Sequence, residues 1–190
     1  MNLPNKLTLL RVVMIPLFLI FLCIPLPIPE TASRLIAAAI FGAAALTDLL
    51  DGKIARKYHL ITDFGKLMDP LADKCMVISA MLGILVFVPQ MQRLFVWAVA
   101  VVIFRELAVT SLRLLAASKG GEVIAAAWLG KVKTVTQIVC VLTVLLEPVF
   151  FPFDFVRTWL PLSWLTTLVM TVMTVWSGIS YFVSYKKYLR

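Results

Sequence analysis

An all-α integral membrane protein is the fold class this sequence predicts, on three observations. Of its 190 residues 62% are hydrophobic and 15% charged, with a mean hydropathy of +0.98, whereas a soluble domain is nearer half apolar and a quarter charged. That surplus has no place in a water-soluble fold, so part of the solvent must be lipid. The apolar residues also gather into six stretches, each near the roughly 20 residues that a helix needs to cross the hydrocarbon core. The breaks between them are short and rich in proline or charge.

Taken in order, the first stretch is Leu7–Ile24. No small-residue cleavage site follows it, so it reads as a retained helix rather than a signal peptide. MNLPNK before it is expected along the membrane interface, and PLPIPE (Pro25–Glu30) ends it. Arg34–Ala55 is the second span, and KYHLITDF (Lys57–Phe64) connects it to Lys66–Val88, where Pro70 starts or bends the helix. After the polar turn VPQMQ (Val88–Gln92) comes Leu94–Ala117, interrupted by Arg105, Glu106 and Arg113. ASKGGE (Ala117–Glu122) leads to Ile124–Leu146, where Gly130, Lys133, Thr134 and Gln137 share one stripe. The proline-rich EPVFFPFD (Glu147–Asp154) is expected as a break before the last span, Leu162–Tyr185. Tyr181, Tyr185 and Tyr188 suit an interfacial aromatic belt. Cys23, Cys75 and Cys140 have neither disulfide nor metal-ligand spacing and read as small buried hydrophobes. No repeat appears and no break is long enough to separate domains, so residues 1–190 form a single membrane domain.

A net charge of +8 in a membrane chain points to cytoplasmic loops, anionic headgroups and an anionic substrate, with no nucleic acid as partner. Lys6 and Arg11, then Lys53, Arg56, Lys57 and Lys66, then Lys119, Lys131 and Lys133, and finally Lys186, Lys187 and Arg190 alternate with sparse connections offering Arg34, Arg93 and Arg157. Both termini are therefore expected on the cytoplasmic side, as six crossings require, in a multi-pass protein of a cell membrane.

The chemistry gathers in DLLDGKIARKYHLITDFGKLMDPLAD. On helices, Asp48, Asp51, Gly52 and Ala55 fall on one stripe, and Asp69 and Asp73 stand one turn apart with Gly65 a turn earlier. Two helices packed on these stripes would bring four carboxylates together, with glycines opening room for a ligand. Acids of one sign need cations, and hard oxygen ligands suit Mg²⁺, Mn²⁺ or Ca²⁺. Ionisable residues at membrane depth mark functional sites. A charged cytoplasmic loop would explain Lys57, a solvated His59 and Asp63, but not acids and glycines in register.

These residues resemble the CDP-alcohol phosphatidyltransferases, whose signature is D-x2-D-G-x2-A-R, eight residues, then G-x3-D-x3-D. All fixed positions match: Asp48, Asp51, Gly52, Ala55, Arg56, Gly65, Asp69 and Asp73. The resemblance implies six transmembrane helices around a cytoplasm-facing polar cavity, a homodimer, and transfer of a phosphatidyl group from CDP-diacylglycerol to an alcohol with release of CMP. It implies two Mg²⁺ (or Mn²⁺) ions on Asp48, Asp51, Asp69 and Asp73, with Asp73 as catalytic base. Gly52, Ala55, Arg56 and Gly65 would line the CDP-diacylglycerol site.

For the acceptor, NLPNKLTLLR, FRELAVTSLR and GKVKTVTQ resemble the bacterial phosphatidylglycerophosphate synthases within that family, which implies glycerol 3-phosphate. Arg105, Arg113, Lys131 and Lys133 suit a doubly charged phosphate. An internal ion pair is the alternative for Glu106, and snorkelling is the alternative for Lys131 and Lys133. A phosphatidylinositol phosphate synthase also fits an acceptor that carries phosphate. A divalent-cation transporter explains the acids but not Gly52, Ala55 and Arg56 in register, and a purely structural protein leaves the buried charges unexplained.

The charge pattern makes a topological prediction. On a background without the three native cysteines, cysteines at positions 59 and 118 should resist an impermeant thiol reagent in intact cells. Labelling of either from outside would overturn the assigned orientation.

Overall fold

The computed structural model describes residues 2–57, 62–119 and 128–186, leaving the side chains of 3, 4, 49–57, 63 and 66 undescribed. Within that description the chain is helical without strands: α1 (Leu3–Cys23), α2 (Glu30–Lys57), α3 (Asp63–Phe87), α4 (Gln92–Ser118), α5 (Trp128–Phe150), a short α6 (Asp154–Trp159) and α7 (Pro161–Tyr185). Five stretches, Asn5–Cys23, Leu67–Phe87, Gln92–Ser118, Trp128–Phe150 and Asp154–Tyr185, are long and apolar enough to cross a membrane. At 28 residues α2 is longer than any other single helix, and it packs between α1 and α5. Further contacts join α1 to α3, α3 to α4, and α7 to both α4 and α5.

Helices solvated by lipid gain little from hydrophobic exclusion and associate through close packing instead, which favours small residues at their contacts. The buried face of α2 carries Ala37, Ala38, Ala44 and Ala45 around Phe41, whose ring lies 5.9 Å from that of Phe18 on α1. On α3, a Cβ at Gly83 would come within 3.0 Å of Leu22 Cδ2 and 3.1 Å of Leu19 Cδ2, so α1 and α3 need the glycine to approach. The outer surface is the reverse of a soluble protein's. Trp97 and Phe104 are each 71% exposed and lie in a near-continuous apolar belt, a surface that only lipid or a partner covers without penalty. Cys75 belongs to that outer face, while Cys23 is half-buried and Cys140 buried, which corrects the expectation of three buried thiols.

Element boundaries differ from the sequence reading at several points, and prolines account for the most informative. Leu3–Lys6 continue α1 instead of forming a separate interfacial segment, with proline in the first turn, where its missing N–H is harmless. At the other end of α1, Pro25 cannot donate to the carbonyl of Phe21, four residues earlier, and the Ser33 hydroxyl donates there instead. Most consequential is α5, which runs through Glu147 and Pro148 to Phe150, where a proline-rich break was expected. Pro148 leaves the Val144 carbonyl without its helical donor, and Arg34 Nη1 of α2 supplies one at 3.3 Å. A tertiary donor thus rescues a helix that local propensity would end.

Glu147 explains the rest of that junction. Its buried carboxylate accepts from Leu162 N at 2.8 Å, Ser163 N at 2.7 Å and the Ser163 hydroxyl. It therefore caps α7, whose first N–H groups have no intrahelical acceptor. The chain enters α7 through Leu160 in the left-handed region (φ 46°), a conformation that a branched side chain tolerates only when its surroundings hold it. Glu147→Ala would strand buried amide donors, each costing about 1–3 kcal/mol. We expect a lowered melting temperature in detergent with kcat nearly unchanged, because Glu147 lies 14 residues, about 21 Å, along α5 from Lys133. Differential scanning fluorimetry and a turnover assay on one preparation check both halves.

Candidate active site

Polar contacts concentrate at one end of the bundle, where the first half of α1, the end of α2 and the start of α3 meet. On α1, Asn5, Thr8 and Arg11 recur every third residue and are all buried, one polar stripe on a helix that is apolar elsewhere but for the exposed Lys6. Arg11 Nη1 lies 2.8 Å from Asp48 Oδ1 with the arginine fully enclosed. The Thr8 hydroxyl donates to Asp69 Oδ1. Thr62 caps α3 by accepting from Gly65 N at 3.1 Å, and its hydroxyl donates to Asn5 Oδ1 at 2.9 Å. Gly65 sits in the middle of this contact. A Cβ there would stand 3.2 Å from Asn5 Oδ1, 3.3 Å from Thr62 Oγ1 and 3.6 Å from Asp69 Oδ2, so the motif glycine lets α1 close on the start of α3.

Asp73 lies one turn beyond Asp69. Among the described residues its carboxylate has neither a hydrogen-bond nor an ion-pair partner, and the charges acting on it are those of Asp48, Lys133, Arg11 and Glu106. The structure thus gathers Asp48, Asp69, Asp73 and Gly65 at the meeting of α1, α2 and α3. The side chains of Asp51, Gly52, Ala55 and Arg56, in the last turns of α2, lie outside the described residues. Among the described residues no three carboxylate, histidine or cysteine side chains close around one point. The donor chemistry nevertheless suits a hard divalent cation, since Asp73 has free carboxylate oxygens within the field of Asp48.

A second cluster, mainly cationic, adjoins the first. Glu106 on α4 receives Lys133 Nζ at 2.5 Å and Arg105 Nη1 at 3.0 Å. The ion pair joining α4 to α5 is therefore real, and it leaves one cation in surplus. Lys74, next to Asp73 on α3, donates to the Thr110 hydroxyl of α4, which in turn donates to the Glu106 carbonyl at 2.7 Å. Arg105 Nη2 donates to Ser177 Oγ at 2.7 Å, and Arg113 Nη2 donates to Tyr181 Oη at 2.8 Å. The stem of Arg105 lines an apolar groove of about 460 Å³ between α4 and α7, with Trp97, Phe104 and Phe182, so only its head belongs to the polar interior. Of the four expected acceptor residues, Arg105, Arg113 and Lys133 hold interior contacts. Lys131 is exposed on α5 and does not join them.

Several residues of this site escaped the sequence reading. Arg11 counted only as a cytoplasmic charge, and Asn5, Thr8, Lys74 and Ser177 carried no assignment. The three-residue spacing on α1 was a usable signal; nothing local distinguishes Lys74. Tyr181 and Tyr185 are buried rather than placed in an aromatic belt, because the Tyr181 ring packs against arginines of α4 that no local pattern discloses and Tyr185 stacks on it. Tyr188 lies outside the described residues.

Comparison with known proteins agrees with the motif. The family model described as CDP-alcohol phosphatidyltransferase matches residues 1–179. A CDP-diacylglycerol–glycerol-3-phosphate 3-phosphatidyltransferase of Bacillus subtilis is 44% identical over 189 residues, covering 95% of this chain and 93% of its own. Its namesake from Escherichia coli K12 is 35% identical over 186 residues, covering 95% and 92%. A probable phosphatidylglycerophosphate synthase of Mycobacterium tuberculosis is 43% identical over 140 residues, covering 74% of this chain and 64% of its own.

Proposed function

The chain belongs to the CDP-alcohol phosphatidyltransferase family, and from that premise we propose that it transfers the phosphatidyl group of CDP-diacylglycerol to glycerol 3-phosphate. The products are phosphatidylglycerol phosphate and CMP. The observation that carries the choice of acceptor is the near-full-length similarity to relatives named for this reaction, at 35–44% identity. The surplus positive charge of Arg105, Arg113 and Lys133 over their one ion-pair partner among the described residues, Glu106, supports it, because such a pocket suits a dianionic phosphate better than serine or an amino alcohol.

In the reaction the acceptor hydroxyl oxygen bonds to the phosphatidyl phosphorus as the pyrophosphate P–O bond breaks and CMP leaves. A hydroxyl of ordinary acidity needs a base, and Asp73 is the carboxylate whose oxygens no described side chain occupies. Asp48, Asp51, Asp69 and Asp73 would hold two Mg²⁺ or Mn²⁺ ions, whose chemistry is to neutralise pyrophosphate oxygens and stabilise the departing CMP. Arg11 fixes Asp48 and Thr8 fixes Asp69, so these carboxylates are held in place before substrate arrives. Gly52 and Ala55 would leave room for the nucleotide and Arg56 would neutralise phosphate charge. Gly65 serves the site by letting α1 close on α3, and Arg105, Arg113 and Lys133, with the exposed Lys131, would receive the acceptor phosphate. The site opens to the cytoplasm, both termini lie on that side, and the enzyme works as a homodimer.

The decisive experiment offers labelled CDP-diacylglycerol with glycerol 3-phosphate, inositol phosphate, serine or phosphatidylglycerol. CMP should be released with glycerol 3-phosphate and Mg²⁺ together; release with inositol phosphate alone would reassign the acceptor. EDTA should abolish turnover and Mg²⁺ or Mn²⁺ restore it, and full activity in excess chelator would refute the metal reading. Asp73→Asn should lower kcat by roughly 10²-fold or more while CDP-diacylglycerol still binds. Wild-type kcat in that variant would remove Asp73 from the base role.

A further inference from the structure

Tyr181 stands where two cations of α4 meet one aromatic ring of α7. It is 3% exposed, and the Cζ atoms of Arg105 and Arg113 lie 5.3 and 5.2 Å from its ring centroid. Its hydroxyl accepts from Arg113 Nη2 at 2.8 Å. One turn earlier on the same helix, Ser177 Oγ accepts from Arg105 Nη2 at 2.7 Å. One turn later, Tyr185 stacks on Tyr181 with ring centroids 6.3 Å apart and planes 12° from parallel. Between them, a Cβ at Gly178 would meet Arg105 Cγ at 3.3 Å. The C-terminal half of α7 is thus shaped around these two guanidinium groups.

The chemistry of the partners is informative. A carboxylate could orient a guanidinium equally well, but it would also cancel the charge. On α7 the orienting groups are a phenol, a π face and a serine hydroxyl, all neutral; the one acid in contact is Glu106, beside Arg105 on α4. Among the described residues Arg113 has no acidic partner, and Arg105 shares Glu106 with Lys133. Among the described residues the buried Nε atoms of both arginines have no hydrogen-bond partner. Two like charges directed at one ring repel each other in a low dielectric, and a ring quadrupole offsets only part of that. Such an arrangement is stable when an anion completes it.

We propose that Tyr181 is a positioning and specificity-determining residue, whose ring and hydroxyl hold Arg105 and Arg113 turned, and still fully charged, toward a dianionic phosphate on the acceptor alcohol. This rests on the acceptor-phosphate reading of those arginines given above. Tyr181 does not touch the reacting atoms; it acts through the guanidinium groups.

The test uses the full chain in detergent, with steady-state kinetics in both substrates. Tyr181→Phe keeps the ring and its stacking and deletes one hydrogen bond to a charged group. The KM for glycerol 3-phosphate should rise about tenfold, with kcat within about twofold and the KM for CDP-diacylglycerol unchanged. Calorimetric binding of glycerol 3-phosphate should weaken by the same factor, a reading that needs no turnover. On an Arg113→Ala background, Tyr181→Phe should add less than about twofold, because its route of action is gone. A merely structural tyrosine would instead raise both KM values together and lower the melting temperature. An unchanged acceptor KM in Tyr181→Phe, or the full tenfold effect persisting on Arg113→Ala, overturns the proposal. If Arg113→Ala alone leaves the acceptor KM unchanged, the acceptor-phosphate reading has failed, and the role of Tyr181 fails with it for that identifiable reason.

Discussion

Taking an ion out of water into a low-dielectric interior costs several kcal/mol unless a partner is held against it, and the helices here are arranged around that cost. Apart from Arg105 with Glu106 within α4, the contacts named for charged groups at the site end cross between helices. Arg11 of α1 reaches Asp48 of α2, Lys133 of α5 reaches Glu106 of α4, and Lys74 of α3 reaches Thr110 of α4. Packing between lipid-solvated helices is weakly specific, because lipid competes well for apolar surface. Charge pairing is not weakly specific. A shift of one helix by a turn would strand a buried ion, so these contacts fix both register and neighbour.

The two ends of the bundle treat this constraint in opposite ways. Around Arg34 and Glu147 the polar groups satisfy one another within the chain. Arg34 pairs with Glu30 at 2.9 Å, supplies the Val144 carbonyl and lies 4.7 Å from the centre of the Phe87 ring, while Glu147 caps α7. Around Asp73 and Arg113 satisfaction among the described residues is incomplete, with a carboxylate lacking a partner on one side and buried Nε donors on the other. A buried group without a partner is destabilising, so the imbalance makes sense where a ligand of complementary charge completes it. A well-satisfied end makes a rigid scaffold, and the incomplete end is the candidate site.

What was legible in the sequence follows the same division. The six long helices came from apolar runs, whose signal is local and strong. Asp48, Gly65, Asp69 and Asp73 came from spacing along two helices, again local information. The extension of α5 through Glu147 and Pro148 was not legible, because proline forecasts a break and only the Arg34 guanidinium, 110 residues away in sequence, reverses it. Tyr181 looked interfacial for a related reason. A tyrosine near the end of an apolar span is ambiguous until the helix that faces it is known, and here that helix presents two arginines. Arg11 was visible as a charge but not as a partner, since its pairing with Asp48 depends on how α1 crosses α2. Lys74 left no local mark at all.

The distribution of hydroxyl and carboxylate partners extends this logic to chemistry. Where a cation serves the architecture, its partner is an acid, as with Arg34 and Glu30. On α7 the partners of the α4 arginines are hydroxyls and a ring, and on α1 the partner of Asp69 is the Thr8 hydroxyl. Neutral donors and acceptors set direction without spending charge, so an acid or a base so held keeps its full field for a ligand. The site end also holds acid–cation pairs, Glu106 with Lys133 and Arg105 and Asp48 with Arg11, and the last has a physical use. Four motif acids brought together would repel one another in a low dielectric, and one enclosed cation lowers that repulsion while leaving the cluster net negative. The bundle can then close before any metal or nucleotide binds, with its acids and its arginines already separated into two adjoining fields of opposite sign.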